Sequence, residues 1–167
     1  MTERKGLLAI VQKEDFDSVK KKALKDNHFF NNLLDRVLDE NPCIAKTVSL
    51  IATQSKDLQQ VMKTVLYVYA FLENANMRQY AFSNPKYVKL PVVSENCLSE
   101  AGREFRDGFE IEMIERLRED NPIIYNFVDT TLTYGVDPGS TLKAATLCYR
   151  LLELAAKEQF TKSNCFN

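Results

Sequence analysis

A chain of 167 residues is the ordinary size of one domain, long enough to bury roughly 70% of the surface its unfolded form exposes without disulfide or metal staples. Hydrophobic residues at 45% and charged residues at 27% exclude a disordered chain, and a net charge of −1 excludes a global field that would gather nucleic acid or an anionic membrane. Four widely spaced cysteines, no Cys-x-x-Cys and a single histidine argue against a zinc site.

The opening stretch, MTERKGLLAIVQKED, has too short an apolar run and no small-residue cleavage site for a secretory signal, so a cytoplasmic location with reduced thiols is expected. A first helix is expected over 15–26. Its lysines, Lys20, Lys21, Lys22 and Lys25, spread around the helix as a solvated face and form no groove-reading stripe. His28 follows with no nucleophile or metal ligand nearby and reads as a capping or surface residue. Phe29, Phe30, Leu33, Leu34, Val37 and Leu38 then recur at helical spacing, and this amphipathic helix ends at Asn41-Pro42. Proline disfavours helical geometry in the residue before it and suits the first turn of the next helix, so Pro42 marks a sharp corner.

A helix over 42–54 stops at QSKD, where Asp57 is a natural N-cap for a long helix over 58–80 with Val61, Val65, Val68 and Leu72 on its apolar stripe. The apolar run inside it, VLYVYAFL, is far shorter than the ~20 residues that span a bilayer. Residues 81–97 read as a linker with two prolines and an extended stretch, YVKLPVV, which together with GLLAIV is the place for a minimal two-stranded ribbon. A further helix is expected over 97–107. Phe109, Met113, Ile114 and Leu117 open another amphipathic helix, Pro122 makes another corner, a helix over 122–134 follows, and Asp137-Pro138 starts the last helix over 138–160 with Leu142, Ala145, Leu152 and Ala155 facing the core.

The second series repeats the first. Aligned without a gap, residues 28–77 and 108–157 share thirteen identities in fifty positions, among them Phe29/Phe109, Asn41/Asn121, Pro42/Pro122, Asp57/Asp137 and Tyr69/Tyr149. Chance at average composition gives about three. The expected fold is therefore all-α: a tandem duplication of a three-helix unit forming a two-lobed, pseudo-twofold bundle, with 1–80 the first unit and its extension, 81–97 the linker and 98–167 the second unit. Among the repeated residues, Arg36 and Arg116 flank the buried stripe of each unit's first helix, and Glu73 and Glu153 lie on the third. They are expected to pair as partly buried ion pairs, Arg36 with Glu73 and Arg116 with Glu153.

No Gly-rich phosphate loop and no Gly-x-Ser-x-Gly is present. Glu112-x-x-Glu115 followed by Asp129 across the Asn-Pro corner resembles the magnesium-holding carboxylates of all-helical nucleotide pyrophosphohydrolases, and the resemblance implies a magnesium-dependent hydrolase using Glu112, Glu115 and Asp129. Asn126 stands where that pattern has an acid, and the first unit offers Asn32, Asp35, Lys46 and Ser49 at the equivalent places. The leading expectation is instead a non-enzymatic protein-binding or assembly protein, an adaptor, inhibitor or structural subunit, because a module has been duplicated without a catalytic group. Such a protein fits a viral or phage setting, calls for no cofactor, and would act on a protein partner or on its own copies; Tyr67, Tyr80, Phe82 and Tyr87 are the candidates for that surface, the alternative being that they pack one unit against the other.

Overall fold

The structure is a computed structural model that describes residues 8–165 and the side chains of residues 8–162. The described chain is all-helical: α1 (Lys13–Lys25), α2 (Phe29–Glu40), α3 (Pro42–Thr53), α4 (Leu58–Tyr80), a short 3-10 turn (Pro85–Tyr87), α5 (Glu95–Arg106), α6 (Glu110–Asp120), α7 (Pro122–Thr133) and α8 (Pro138–Cys165). None of these helices is long and apolar enough to cross a membrane.

Local chemistry accounts for the boundaries. Pro42 and Pro122 each occupy the first helical turn, where the absent N–H has no partner to lose. Asp57 caps α4 by accepting the Gln60 N–H at 3.1 Å, and Asp137 caps α8 by accepting the Ser140 N–H at 3.3 Å. Asp137 also accepts from the Ser55 hydroxyl and the Lys56 N–H, both at 3.0 Å, so it ties the two interhelical loops together. Those N–H donors, Lys56 first, hold its carboxyl down at about 2. Between α5 and α6, Gly108 takes the left-handed conformation (φ 85°). Its N–H bonds to the Phe105 carbonyl and the Phe109 N–H to the Glu104 carbonyl, a Schellman closure that a residue with a side chain would strain.

The long helices α4 and α8 are the axis of the molecule and pack most extensively on each other. Around them the neighbours are arranged alike: α1 and α3 lie on α4, α5 and α7 lie on α8, and α3 also reaches α8 as α7 reaches α4. Burial follows the same correspondence at a spacing of eighty, as in Leu33 and Met113, Val37 and Leu117, Ile44 and Ile124, Val48 and Val128, and Leu72 and Leu152. Upstream of α2 and α6 the spacing becomes eighty-two, which matches Asp15 with Cys97 and Val19 with Ala101, all buried. The shift explains why the ungapped match covers only residues 28 onward: the chain from Cys97 to Phe109 is two residues shorter than from Asp15 to Phe29, and Gly108 closes the turn between α5 and α6. One buried cluster runs through both halves of the chain.

No strand forms among the described residues, so the ribbon expected from GLLAIV and YVKLPVV is not made by residues 8–11 and 87–93. Residues 6 and 7 lie outside the described residues. The backbone groups that a ribbon would pair are taken by asparagine side chains. Asn121 accepts the Val11 N–H at 2.9 Å and donates to the Ala9 carbonyl at 3.2 Å. Asn41 accepts the Val93 N–H at 2.9 Å and donates to the Pro91 carbonyl at 2.9 Å. Each Asn-Pro corner thus clamps the extended segment that leads into the other half of the chain. A third buried asparagine, Asn76, accepts the Ala9 N–H and donates to the Tyr87 carbonyl, joining the two arms to α4.

At the start of α1, Asp15 is fully buried. Burial raises its pKa, but hydrogen bonds from Arg78, the Gln12 N–H and Asn74 together outweigh burial and leave it below the usual 3.8. A depressed carboxylate contributes stability that is complete above pH 3.8 and is lost as pH falls through the lower folded value. Asp15→Asn is expected to lower stability at pH 7 and to flatten the remaining loss below pH 4, measured by urea unfolding across pH 2–7. An unchanged acid slope in the variant would exclude Asp15 as a contributor.

Candidate functional site

Two surface grooves lie at corresponding places in the two halves. The larger, about 590 Å³, runs between α1 and α7, with Phe16, Lys20, Ile123, Phe127, Thr130, Thr131 and Gln60 among its lining residues. Its floor is an aromatic stack: Phe16 lies on Phe71 with ring centroids 5.1 Å apart, Phe127 meets Phe71 edge-on at 5.1 Å, and Tyr67 meets Phe127 at 5.3 Å. The Lys20 ammonium sits 4.7 Å over the Tyr67 ring, so one of the lysines read as merely solvated is seated on an aromatic face. Tyr134 stands at the rim, 83% exposed.

The second groove, about 430 Å³, runs between α5 and α3, lined by Thr47, Leu50, Ile51, Leu98, Gly102 and Leu147 among others. Leu98 corresponds to Phe16, Gly102 to Lys20, and Thr47, Leu50 and Ile51 to Phe127, Thr130 and Thr131. A Cβ added at Gly102 would meet nothing within 4 Å, so the space over this glycine is open where Lys20 stands in the other groove. Leu50 is 60% exposed at its rim. The periodicity of α1, α3, α5 and α7 was readable, but not which helices stand apart over the core.

Of the aromatics expected at a partner surface, Tyr67, Tyr80 and Tyr87 are buried within the chain. Tyr80 and Tyr87 meet edge-on at 5.8 Å and pin the 3-10 turn to the end of α4, while Tyr67 belongs to the aromatic floor. Only Phe82 of the four is exposed, fully so at 101%. The cause is simple: α4 is the central helix, so Tyr67 and Tyr80 meet neighbours, and Tyr87, in the 3-10 turn, packs on Tyr80.

Arg36 and Glu73 form a two-pronged ion pair, Nη2 to Oε1 at 2.9 Å and Nη1 to Oε2 at 2.5 Å. Arg116 and Glu153 stand 3.5 Å apart. Hydrogen bonding to Glu73 raises the Arg36 pKa further. The Arg36 side chain is 46% exposed, so solvent screens the pair. A double-mutant cycle on Arg36 and Glu73, read by thermal unfolding, is expected to give a coupling of about 0.5–1 kcal/mol. Zero coupling would remove it as a tie between α2 and α4.

Arg150, at the position corresponding to Ala70, adds to the second pair a residue that pattern reading missed. It is buried, and its guanidinium bonds to Glu104 at 2.9 and 2.7 Å and to Glu153 at 3.3 Å. The Glu104 carboxyl is held below its usual range by Arg150. An arginine inside the apolar stripe of α8 was the available signal.

Glu112 and Asp129 are exposed, and Glu115 is hydrogen-bonded to Arg118 on its own helix. Among the described residues no group of three histidine, cysteine, aspartate or glutamate side chains is placed to hold a metal ion, so these three carboxylates are not gathered into such a group. Burial pushes the Cys148 thiol up to about 12, while partly buried Cys43 is raised first by burial and then by Glu95.

The chain matches no family model, no curated protein and no solved structure.

Proposed function

We propose that this chain is a non-enzymatic protein-binding module, made of two copies of one three-helix unit, that engages protein partners through the two corresponding grooves. The carrying observation is the recurrence of the groove itself, an apolar floor between α1 and α7 and again between α5 and α3, each with an exposed hydrophobic residue at its rim. The unit duplication is supported by the thirteen identities, by helix starts at Pro42 and Pro122 and at Leu58 and Pro138, and by matching burial. Grooves of this size and composition take one face of an amphipathic helix, whose apolar anchors exchange water-exposed area for contact. A divergent pair, aromatic with Lys20 in one and mainly aliphatic with Gly102 in the other, suits two different anchors on one partner or two partners held side by side. That is the arrangement of an adaptor or assembly subunit.

The test places one charge in each groove at corresponding exposed positions, Thr130→Glu and Leu50→Glu. Partners captured from extract of the native host by the unaltered chain should be reduced by either substitution and lost with both, while circular dichroism remains unchanged. Capture that is indifferent to the double variant would sink the reading. Sedimentation of the unaltered chain shows whether a second copy is itself an occupant.

A further inference from the structure

We infer that the cleft between α1, α2 and α4 is a binding site for a small amphipathic anion, a carboxylate-type head on an apolar body. The reading is independent of the two grooves. In the second half of the molecule the same place is filled. Arg150 rises from α8 into it and is locked by Glu104 and Glu153, beside Arg116. In the first half the corresponding residues are Ala70, Lys22, Glu73 and Arg36. Alanine replaces the filling arginine, and a lysine replaces the glutamate that held it. The result is an open cleft of about 360 Å³ lined by all four.

The chemistry of the lining sets the ligand class. Val19, Phe29, Ala70, Met77 and Val88 supply an apolar wall. The two carboxylates present, Glu73 and Glu40, both face Arg36, at 2.5 and 3.8 Å, which offsets one of their two charges; with Lys22 and Lys89 the lining is net positive, three cationic side chains against two anionic. Asn74 is turned away to Asp15, to which it donates at 2.9 Å. The ammonium groups of Lys22 and Lys89 remain on the lip, and no ion pair engages either among the described residues. A cation entering here would meet a net positive lining with two unpaired lysines; an anion with an apolar tail would meet positive charge at the lip and hydrocarbon beneath. Alanine in place of Arg150 empties the site, and lysine in place of Glu104 takes the four positions from neutral to net positive, which distinguishes this cleft from a packing defect.

The probe is octanoate, with octylammonium as the same tail carrying the opposite charge, both titrated into the full chain and followed by amide chemical shifts. Octanoate is expected to shift Val19, Ala70, Met77 and Val88 saturably and to bind at least tenfold more tightly than octylammonium. The double variant Ala70→Arg with Lys22→Glu rebuilds the filled arrangement of the second half and should weaken octanoate at least tenfold. Lys22→Glu with Lys89→Glu, confined to exposed positions, should do the same without touching the core. Equal binding of the two probes, absence of saturable shifts at these residues, or octanoate binding unchanged in the surface double variant overturns the inference.

Discussion

Phe71→Ala is expected to lower the unfolding free energy by about 4 kcal/mol, the middle of the range for emptying a buried phenylalanine site. Phe71 has no solvent exposure and stands at the junction of three helices. It stacks on Phe16 of α1, meets Phe127 of α7 edge-on, and lies 5.7 Å from Tyr67 one turn earlier on α4. The neighbouring rings are rigid and belong to separate elements, so they cannot close the space by rotation of one side chain, and the cavity cost adds to the lost transfer energy. In a chain of this size the loss should appear as a fall in melting temperature of roughly 8–16 °C. Phe82→Ala, at a fully exposed aromatic, is the contrast and should stay within ~0.5 kcal/mol. Urea denaturation of the two variants decides the matter: a Phe71→Ala loss below ~1.5 kcal/mol would mean that the junction repacks and is not the centre of the core.

Asn121→Ala is expected to cost about 3 kcal/mol, although the substitution removes only a few buried atoms. The side chain has no exposure and holds two backbone groups of a distant segment, the Val11 N–H and the Ala9 carbonyl. Alanine would leave both without a partner, and each orphaned buried group costs about 1–3 kcal/mol. Asn41→Ala should behave similarly, since it strands the Val93 N–H and the Pro91 carbonyl. Hydrogen exchange gives a readout that general destabilisation cannot imitate. Protection should fall first at Val11 in one variant and at Val93 in the other, while the Ala9 N–H stays protected by Asn76. Uniform loss of protection in both variants would show that the asparagines are not local clamps.

These two residues also show where pattern reading reached and where it stopped. The Asn-Pro corners were legible because a proline acts on its own neighbours. The ring constrains the residue before it and occupies the first turn after it, so Pro42 and Pro122 locate helix starts from sequence. Asp57 and Asp137 were legible for the same reason, as a capping carboxylate reaches only three residues ahead. What Asn41 and Asn121 do was not legible. Neither caps its helix, and their partners lie 52 and 110 residues away in sequence. Identity at a spacing of eighty marked them as special without revealing that each serves the opposite half.

The sequence by itself determined the helices, their corners and caps, and the apolar stripes, since these depend on steric and hydrogen-bonding preferences within about four residues. It also carried the pairing of Arg36 with Glu73 as an expectation, through flanking positions on two stripes. Only the tertiary structure decided which residues those stripes meet. Placing α4 at the centre buried Tyr67, Tyr80 and Tyr87 and left Phe82 outside. Holding α1 apart from α7, and α5 from α3, opened two grooves over a shared core. Two differences at matching positions, Ala70 against Arg150 and Lys22 against Glu104, set a cleft in one half beside a locked ion-pair network in the other. Burial and cavities belong to several elements at once, and periodicity along one helix carries no information about the distance to the next.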